Sequence, residues 1–125
     1  MSAHPVGSPP AVGATELLSA VQFQDALRHV IRFRQQRPIA DPLAAAVKRI
    51  EQNPAFAQSR LLTRILDALT YQQGQFRRAE ITALDAETFA MVIALMDAYA
   101  AGTPTRAAWE RAVDVARAAE LGAFG

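Results

Sequence analysis

One long apolar segment constrains the fold of this chain more than any other feature of the sequence. Between Ala86 and Ala101, Asp97 is the only charged side chain that follows Phe89. Asp85 precedes the segment as a helix N-cap, and Leu84 and Phe89 hold the two positions of a hydrophobic staple. A helix that is apolar nearly all round is covered by other elements on most of its sides. The segment is therefore predicted to be the central helix of a bundle, or a helix at a subunit interface.

Caps, prolines and apolar residues at helical spacing predict four further helices around this segment. In chain order, we expect a helix from the N-cap Thr15 to Gln36, one from Asp41-Pro42 to Asn53-Pro54, one that carries Leu62, Ile65, Leu66 and Leu69 and ends near Gly74, and one from Thr103-Pro104 to Gly122. Asn53 is also a candidate cap of the helix that follows it, and residues 79–84 form a short helical or extended piece. The sequence thus predicts an all-α fold, a compact bundle of about five helices.

The composition fits one globular domain that needs no covalent cross-links. The 125 residues include no cysteine, which excludes disulfides and thiolate chemistry. We expect residues 1–14, rich in proline and glycine, to form a disordered N-terminal tail, and residues 15–125 to form a single helical domain. No signal peptide or membrane-spanning segment is visible, so a cytoplasmic location is expected. The preference for arginine over lysine and the abundant alanine indicate a GC-rich bacterial genome.

Catalytic and cofactor-binding residues are not predicted anywhere in the chain. The glycines are isolated turn residues rather than a phosphate-binding loop, and the serines and threonines lack an elbow motif or a neighbouring histidine. Asp25 and His29 lie four residues apart on one helix face, where an Asp-His pair could orient the imidazole or supply two metal ligands. No third ligand is close to them in sequence, so a solvated polar face is their expected role, and no metal or cofactor is assigned.

Acidic side chains offer a second, weaker candidate for chemistry. Glu80, Asp85 and Glu87 cluster before the apolar helix, where two of them could form a catalytic pair or an oxygen-ligand metal site. Asp85 and Glu87 already have a structural role, because carboxylates are favourable at the positive end of a helix. Asp97 would be costly if buried alone, so we expect an arginine from another helix or subunit as its partner unless it faces water.

Charge is distributed unevenly along the chain. Residues 25–78 carry ten basic and four acidic side chains, a net charge of +6, whereas residues 79–125 carry three basic and seven acidic side chains, a net charge of −4. The basic half could pack against the acidic half within one chain or across a dimer, where opposite potentials set register and partner choice. The arginines could also be spread over a solvated surface without any role.

Nucleic-acid binding is the alternative interpretation of the same charges. Arg28, Arg32, Arg77 and Arg78 form a candidate basic surface that could contact phosphates. The third helix, the linker after it and the apolar helix loosely resemble a helix-turn-helix. The match is poor, because the apolar helix would have to be the recognition helix. That helix has no basic residue and almost no donor for base edges.

The hypothesis favoured by these patterns is a small, non-enzymatic interaction or regulatory protein, an adaptor that forms a homodimer and binds an unknown protein partner. Two observations support this hypothesis. The helices have more apolar surface than a small monomer can bury, and the chain divides into a basic half and an acidic half. No membrane partner is expected. The residues predicted to be buried or at an interface are Phe89, Val92, Ile93, Met96, Asp97, Tyr99 and Trp109.

Overall fold

The structure, a computed structural model, describes residues 16–30 and 39–124, without the side chains of Val30 and Phe124. It confirms the all-α fold, with six helices and one two-stranded antiparallel sheet in the described ranges. The elements are β1 (Leu17–Ser19), α1 (Ala20–Val30), α2 (Pro42–Gln52), α3 (Ala57–Tyr71), β2 (Gln75–Arg77), α4 (Ala79–Ala83), α5 (Ala86–Ala100) and α6 (Arg106–Phe124). The helix beyond the five predicted ones is the short α4, for which the sequence left a helical and an extended form open. The predicted tail, residues 1–14, lies outside the described residues.

A short antiparallel ribbon joins two parts of the chain that are far apart in sequence. Leu18 of β1 lies opposite Phe76 of β2. Both side chains are buried, and the Phe76 ring stacks on Phe23 of α1 with 4.1 Å between the ring centroids. The stack holds α1 against the ribbon, since aromatic pairs in this arrangement contribute beyond their buried area.

The predicted start of the first helix at Thr15 is wrong, because β1 occupies the residues just before Ala20. Helix α1 begins there because Ser19 and Gln22 form a capping box. The Gln22 amide donates to Ser19 Oγ (3.2 Å), and the Ser19 amide donates to Gln22 Oε1 (3.0 Å). Thr15 itself and the predicted continuation of the helix over residues 31–36 lie outside the described residues.

The hydrophobic core is centred on α3 and α5. Helix α5 is the predicted apolar helix, and it packs against α1, α2 and α3. Helix α3 contributes an equally large buried face and packs against α2, α5 and α6. The two helices therefore share the central position that the sequence assigned to α5. The buried residues of α5 are Thr88, Phe89, Met91, Val92, Ile93, Leu95 and Met96.

Helix α6 runs antiparallel to α3. Arg60 near the start of α3 pairs with Glu120 near the end of α6, and Arg106 at the start of α6 lies over the ring of Tyr71 at the end of α3. The helix continues past Gly122, so its predicted end at that residue is wrong. A single glycine in the last turns of a helix costs only about 1 kcal/mol, which the packing of a long helix can offset. The inner face of α6 is formed by Trp109, Ala112, Val113 and Ala116.

Side-chain caps start α2 and α5 as predicted. Asp41 Oδ1 accepts from the Ala44 amide (3.1 Å), and Asp85 Oδ1 accepts from the Thr88 amide (2.7 Å). The prediction that Asn53 caps the following helix is wrong. Asn53 is the C-cap of α2. Helix α3 begins later, at Ala57, without a side-chain cap.

The start of α6 lies slightly later than predicted. Thr105, rather than Thr103, caps the helix, since its Oγ1 accepts from the Ala108 amide (3.1 Å). Thr103 has a different contact, because its carbonyl oxygen accepts from the Trp109 indole (2.9 Å). The loop between α5 and α6 is thus tied to the inner face of α6.

Replacement of Ser19 tests the start of α1. We expect Ser19→Ala to lower the free energy of unfolding by about 1 kcal/mol, since it removes the side-chain acceptor of the capping box. Thr15→Ala, at the position predicted from sequence, should leave that free energy within about 0.5 kcal/mol of the wild-type value. The measurement is urea unfolding followed by far-ultraviolet circular dichroism. A larger loss for Thr15→Ala than for Ser19→Ala would contradict the observed start.

Candidate functional site

Ion pairs connect the basic half of the sequence to the acidic half within one chain. Four arginines of residues 25–78 pair with carboxylates of residues 79–125, and one arginine of the second range pairs with a carboxylate of the first. The pairs are Arg28–Asp97, Arg49–Asp85, Arg49–Glu87, Arg60–Glu120, Arg64–Glu80 and Arg117–Asp67. Because an exposed pair contributes at most about 1 kcal/mol, these contacts determine how the two halves fit together more than how stable the fold is.

The candidate basic surface is partly neutralised by these contacts. Arg28 pairs with a carboxylate of α5, and Arg78 pairs with Glu16 (3.2 Å). Arg77 is exposed and forms no ion pair with a described residue, whereas Arg32 lies outside the described residues. Two of the three described arginines of this surface therefore already face a carboxylate.

Arg64 holds β2 and α4 against α3. Its guanidinium donates to both carboxylate oxygens of Glu80 and to the carbonyl oxygen of Gln75 (2.7 Å), and it lies 4.8 Å from the centroid of the Phe76 ring. Glu80 also accepts from the Arg77 amide (2.7 Å). Burial raises the pKa of Glu80, but the hydrogen bonds from Arg64 and Arg77 and the charges of both arginines outweigh burial and hold it below its usual value. The lowered pKa favours the ionised form of Glu80, which anchors α4 to Arg64 of α3.

Asp85 and Glu87 have a similar structural role at the start of α5. Arg49 of α2 donates to Glu87 (2.6 Å) and to Asp85 (3.3 Å). Burial raises the pKa of Asp85. Its hydrogen bonds with Thr88 and the charge and hydrogen bond of Arg49 have a larger opposite effect, so the pKa lies below its usual value. The acidic cluster seen in the sequence is thus divided between two arginines and a helix cap.

Asp25 and His29 line a cavity of about 550 Å³ beside α1, together with the Arg78–Glu16 pair. Both side chains are exposed, and neither forms a hydrogen bond or ion pair with a described residue. Within residues 16–30 and 39–124, no three His, Cys, Asp or Glu side chains come close enough to hold a metal ion. The described chain therefore adds no third ligand to the Asp25–His29 pair.

The residues that the sequence predicted to be buried or at an interface separate into two groups. Asp97 is exposed, with 65% of its side chain accessible, and its partner Arg28 comes from another helix. Tyr99 is half-buried and meets the Trp109 ring edge-on, with 5.4 Å between the centroids. The remaining members lie in the core of this chain, so an interface with another molecule needs a different face. They are Phe89, Val92, Ile93, Met96 and Trp109.

A shallow groove between α2 and α6, the α2/α6 groove, is such a face. It encloses about 440 Å³, and Val115 on its wall is 39% exposed. Seven of its eleven lining residues are apolar, so its floor can accept an apolar side-chain stripe. The lining residues are Asp41, Leu43, Ala44, Val47, Lys48, Glu51, Pro104, Ala108, Arg111, Ala112 and Val115.

The charged residues of the α2/α6 groove differ from most charges of the described chain. Asp41, Lys48, Glu51 and Arg111 form no ion pair with any described residue. Among the described lysines and arginines, three form no ion pair with a described residue: Lys48, Arg111 and Arg77. The groove therefore combines an apolar floor with two cations and two anions that are available to a partner.

The α2/α6 groove was not predicted from the sequence. The apolar stripe of the second helix was visible through Leu43 and Val47, and so was the inner face of the last helix. Nothing local indicated that these two helices lie side by side, or which charges would stay unpaired.

Comparisons with protein-family models, with curated proteins and with solved structures find no match for this chain. None of the described helices combines the length and the apolar character needed to cross a lipid bilayer.

The Arg64–Glu80 contact makes the stability of the fold sensitive to acid. The pKa of Glu80 is lower in the folded chain than its ordinary value of 4.5, so its contribution to stability is present above that value and is lost as the pH falls through the folded-state pKa. We expect Glu80→Gln to lower the free energy of unfolding by about 1 kcal/mol at neutral pH. It should also flatten the decline in stability as the pH falls below the ordinary glutamate pKa of 4.5. Urea unfolding over a series of pH values measures both effects.

Glu110→Gln is the matched control. Glu110 pairs with Arg106 one turn away on the surface of α6 (3.3 Å), and such pairs contribute only a few tenths of a kcal/mol. Equal losses for the two variants at neutral pH would contradict the anchoring role of Glu80, and so would parallel acid curves for Glu80→Gln and the wild type.

Proposed function

We propose that this protein is a small, non-enzymatic adaptor that binds an amphipathic helix of a protein partner in the α2/α6 groove. The observation that carries the proposal is the combination of an exposed apolar floor with rim charges that lack ion pairs. Helix-in-groove recognition uses these two properties, since the floor takes the apolar face of the ligand helix and the rim fixes its orientation.

The dimensions of the groove suit one helix. Helix α2 has 11 residues, which corresponds to a length of about 16 Å. Neighbouring helices lie about 8–10 Å apart, so a third helix can rest in the furrow between two of them. About three turns of the ligand helix would then contact the groove, with anchors at positions i, i+3 or i+4 and i+7.

The state of the rim charges favours binding at this place over other faces of the described chain. A ligand that approached Arg28, Arg49 or Arg64 would have to compete with the carboxylate that each already holds. Lys48 and Arg111 hold no carboxylate of a described residue, so a ligand there breaks no such ion pair. Pairing at the groove therefore adds contacts without breaking existing ones.

Nucleic-acid binding has less support. Arg28 and Arg78 would have to leave their carboxylates before they contact phosphates, and the helix that would enter a DNA groove, α5, is buried in the core. Counterion release requires several unpaired cations on one face. The α2/α6 groove has as many anions as cations and gives no net attraction to a polyanion.

A display library of amphipathic helices, selected for binding to the full chain, tests the proposal. We expect most selected helices to bind Val115→Glu at least about tenfold more weakly than wild type. The introduced carboxylate would either lose its water beneath the bound helix or keep the helix out of the groove. Titration of each helix against each variant, read by biolayer interferometry, measures the difference.

Val21→Glu is the matched control for this experiment. Val21 is 57% exposed on α1, outside the groove, and the same substitution there should leave binding unchanged. Both valines are exposed, so both variants are expected to fold. Selected helices that bind Val115→Glu as tightly as wild type, or that lose affinity for Val21→Glu instead, would show that the groove is not the docking surface.

A further inference from the structure

We infer that the partner at the α2/α6 groove is a second copy of this chain, so that two copies pack this face against each other about a twofold axis. The inference rests on the proposed function, because it names the partner of the same site. It is carried by the charges of the rim and by the side chains of the floor.

The rim charges are self-complementary. Two anions, Asp41 and Glu51, and two cations, Lys48 and Arg111, surround the floor without ion pairs to described residues. A partner of one dominant sign would leave two of these four groups facing a like charge. A second copy related by a twofold axis presents the same four charges in reversed order, which allows each cation to meet an anion.

Helix α2 shows how this pairing would work. Lys48 and Glu51 lie about one turn apart on the groove side of the helix. When two α2 helices cross in antiparallel directions about the axis, Lys48 of each copy comes opposite Glu51 of the other. The same contact therefore forms twice, as an isologous interface requires.

The floor allows the two faces to approach closely. Ala44, Ala108 and Ala112 are among its lining residues, and their small side chains let helices come near. Val47 is half-buried and Val115 is exposed. In the paired arrangement, the valines of one copy enter the alanine-lined floor of the other, as ridges enter grooves. The exposed apolar surface of Val115 is then covered.

The expected dimer is weak. A face that is about 16 Å long and two helices wide is smaller than the roughly 800 Å² that each partner buries in a standard interface. We therefore expect the copies to exchange in solution, with a dissociation constant in the micromolar range.

Sedimentation velocity of the full chain, from low micromolar to near-millimolar concentration, tests the inference. Wild type and Val21→Glu should pass from monomer to dimer over this range, whereas Val115→Glu should stay monomeric. Lys48→Glu and Glu51→Lys should each weaken association by about tenfold, because the twofold axis places each new like-charge contact in the interface twice. The double variant should recover most of the loss, since the exchanged charges again face opposite signs.

The outcomes separate this inference from the proposed function. A wild-type chain that stays monomeric at every concentration, while selected helices still depend on Val115, would overturn the second copy as partner and leave the adaptor proposal standing. A dimer that tolerates Val115→Glu would overturn the inference, and so would charge reversals that do not compensate each other. A monomeric chain whose selected helices also ignore Val115 would overturn both.

Discussion

The guanidinium of Arg64 is the contact on which the arrangement of the first and middle parts of the fold depends. It lies over Phe76, holds Glu80 at the start of α4, and donates to the backbone of β2. Phe76 in turn stacks on Phe23 of α1, so the position of α1 depends indirectly on Arg64 of α3. Since α3 is itself packed against three helices, the ribbon and α1 are positioned relative to one of the two central helices.

The charged residues that form no ion pair connect the electrostatics of this chain with its proposed function. Most described arginines lie opposite a carboxylate from the other half of the sequence, so a ligand that bound them would compete with an existing ion pair. Of the seven described aspartate, glutamate, lysine and arginine residues without an ion pair to a described residue, four line the α2/α6 groove. These four groups are the basis of the docking face proposed above.

Local chemistry in the sequence predicted the helices well and the contacts between them poorly. The caps of α2 and α5 were visible, because Asp41 and Asp85 act on amides three residues away. The start of α1 was misplaced although the Ser19 and Gln22 pattern was present, since an apparent cap at Thr15 and an apolar stripe satisfied the same local rules. Strand β1 could not be found, because its three residues are extended only through pairing with a partner far along the chain. The groove depends in the same way on the meeting of two helices from distant segments.

The distribution of partners along the chain has a consequence for biosynthesis. The anions that face Arg28, Arg49, Arg60 and Arg64 all follow residue 79, and α6, the last described element, covers α3 and forms one wall of the groove. A nascent chain that has emerged only to residue 78 is thus a polycation with an uncovered core, close to ribosomal RNA. Emergence of the acidic half removes both problems together. Because the groove needs α6, a chain that has emerged without this helix does not yet have the groove.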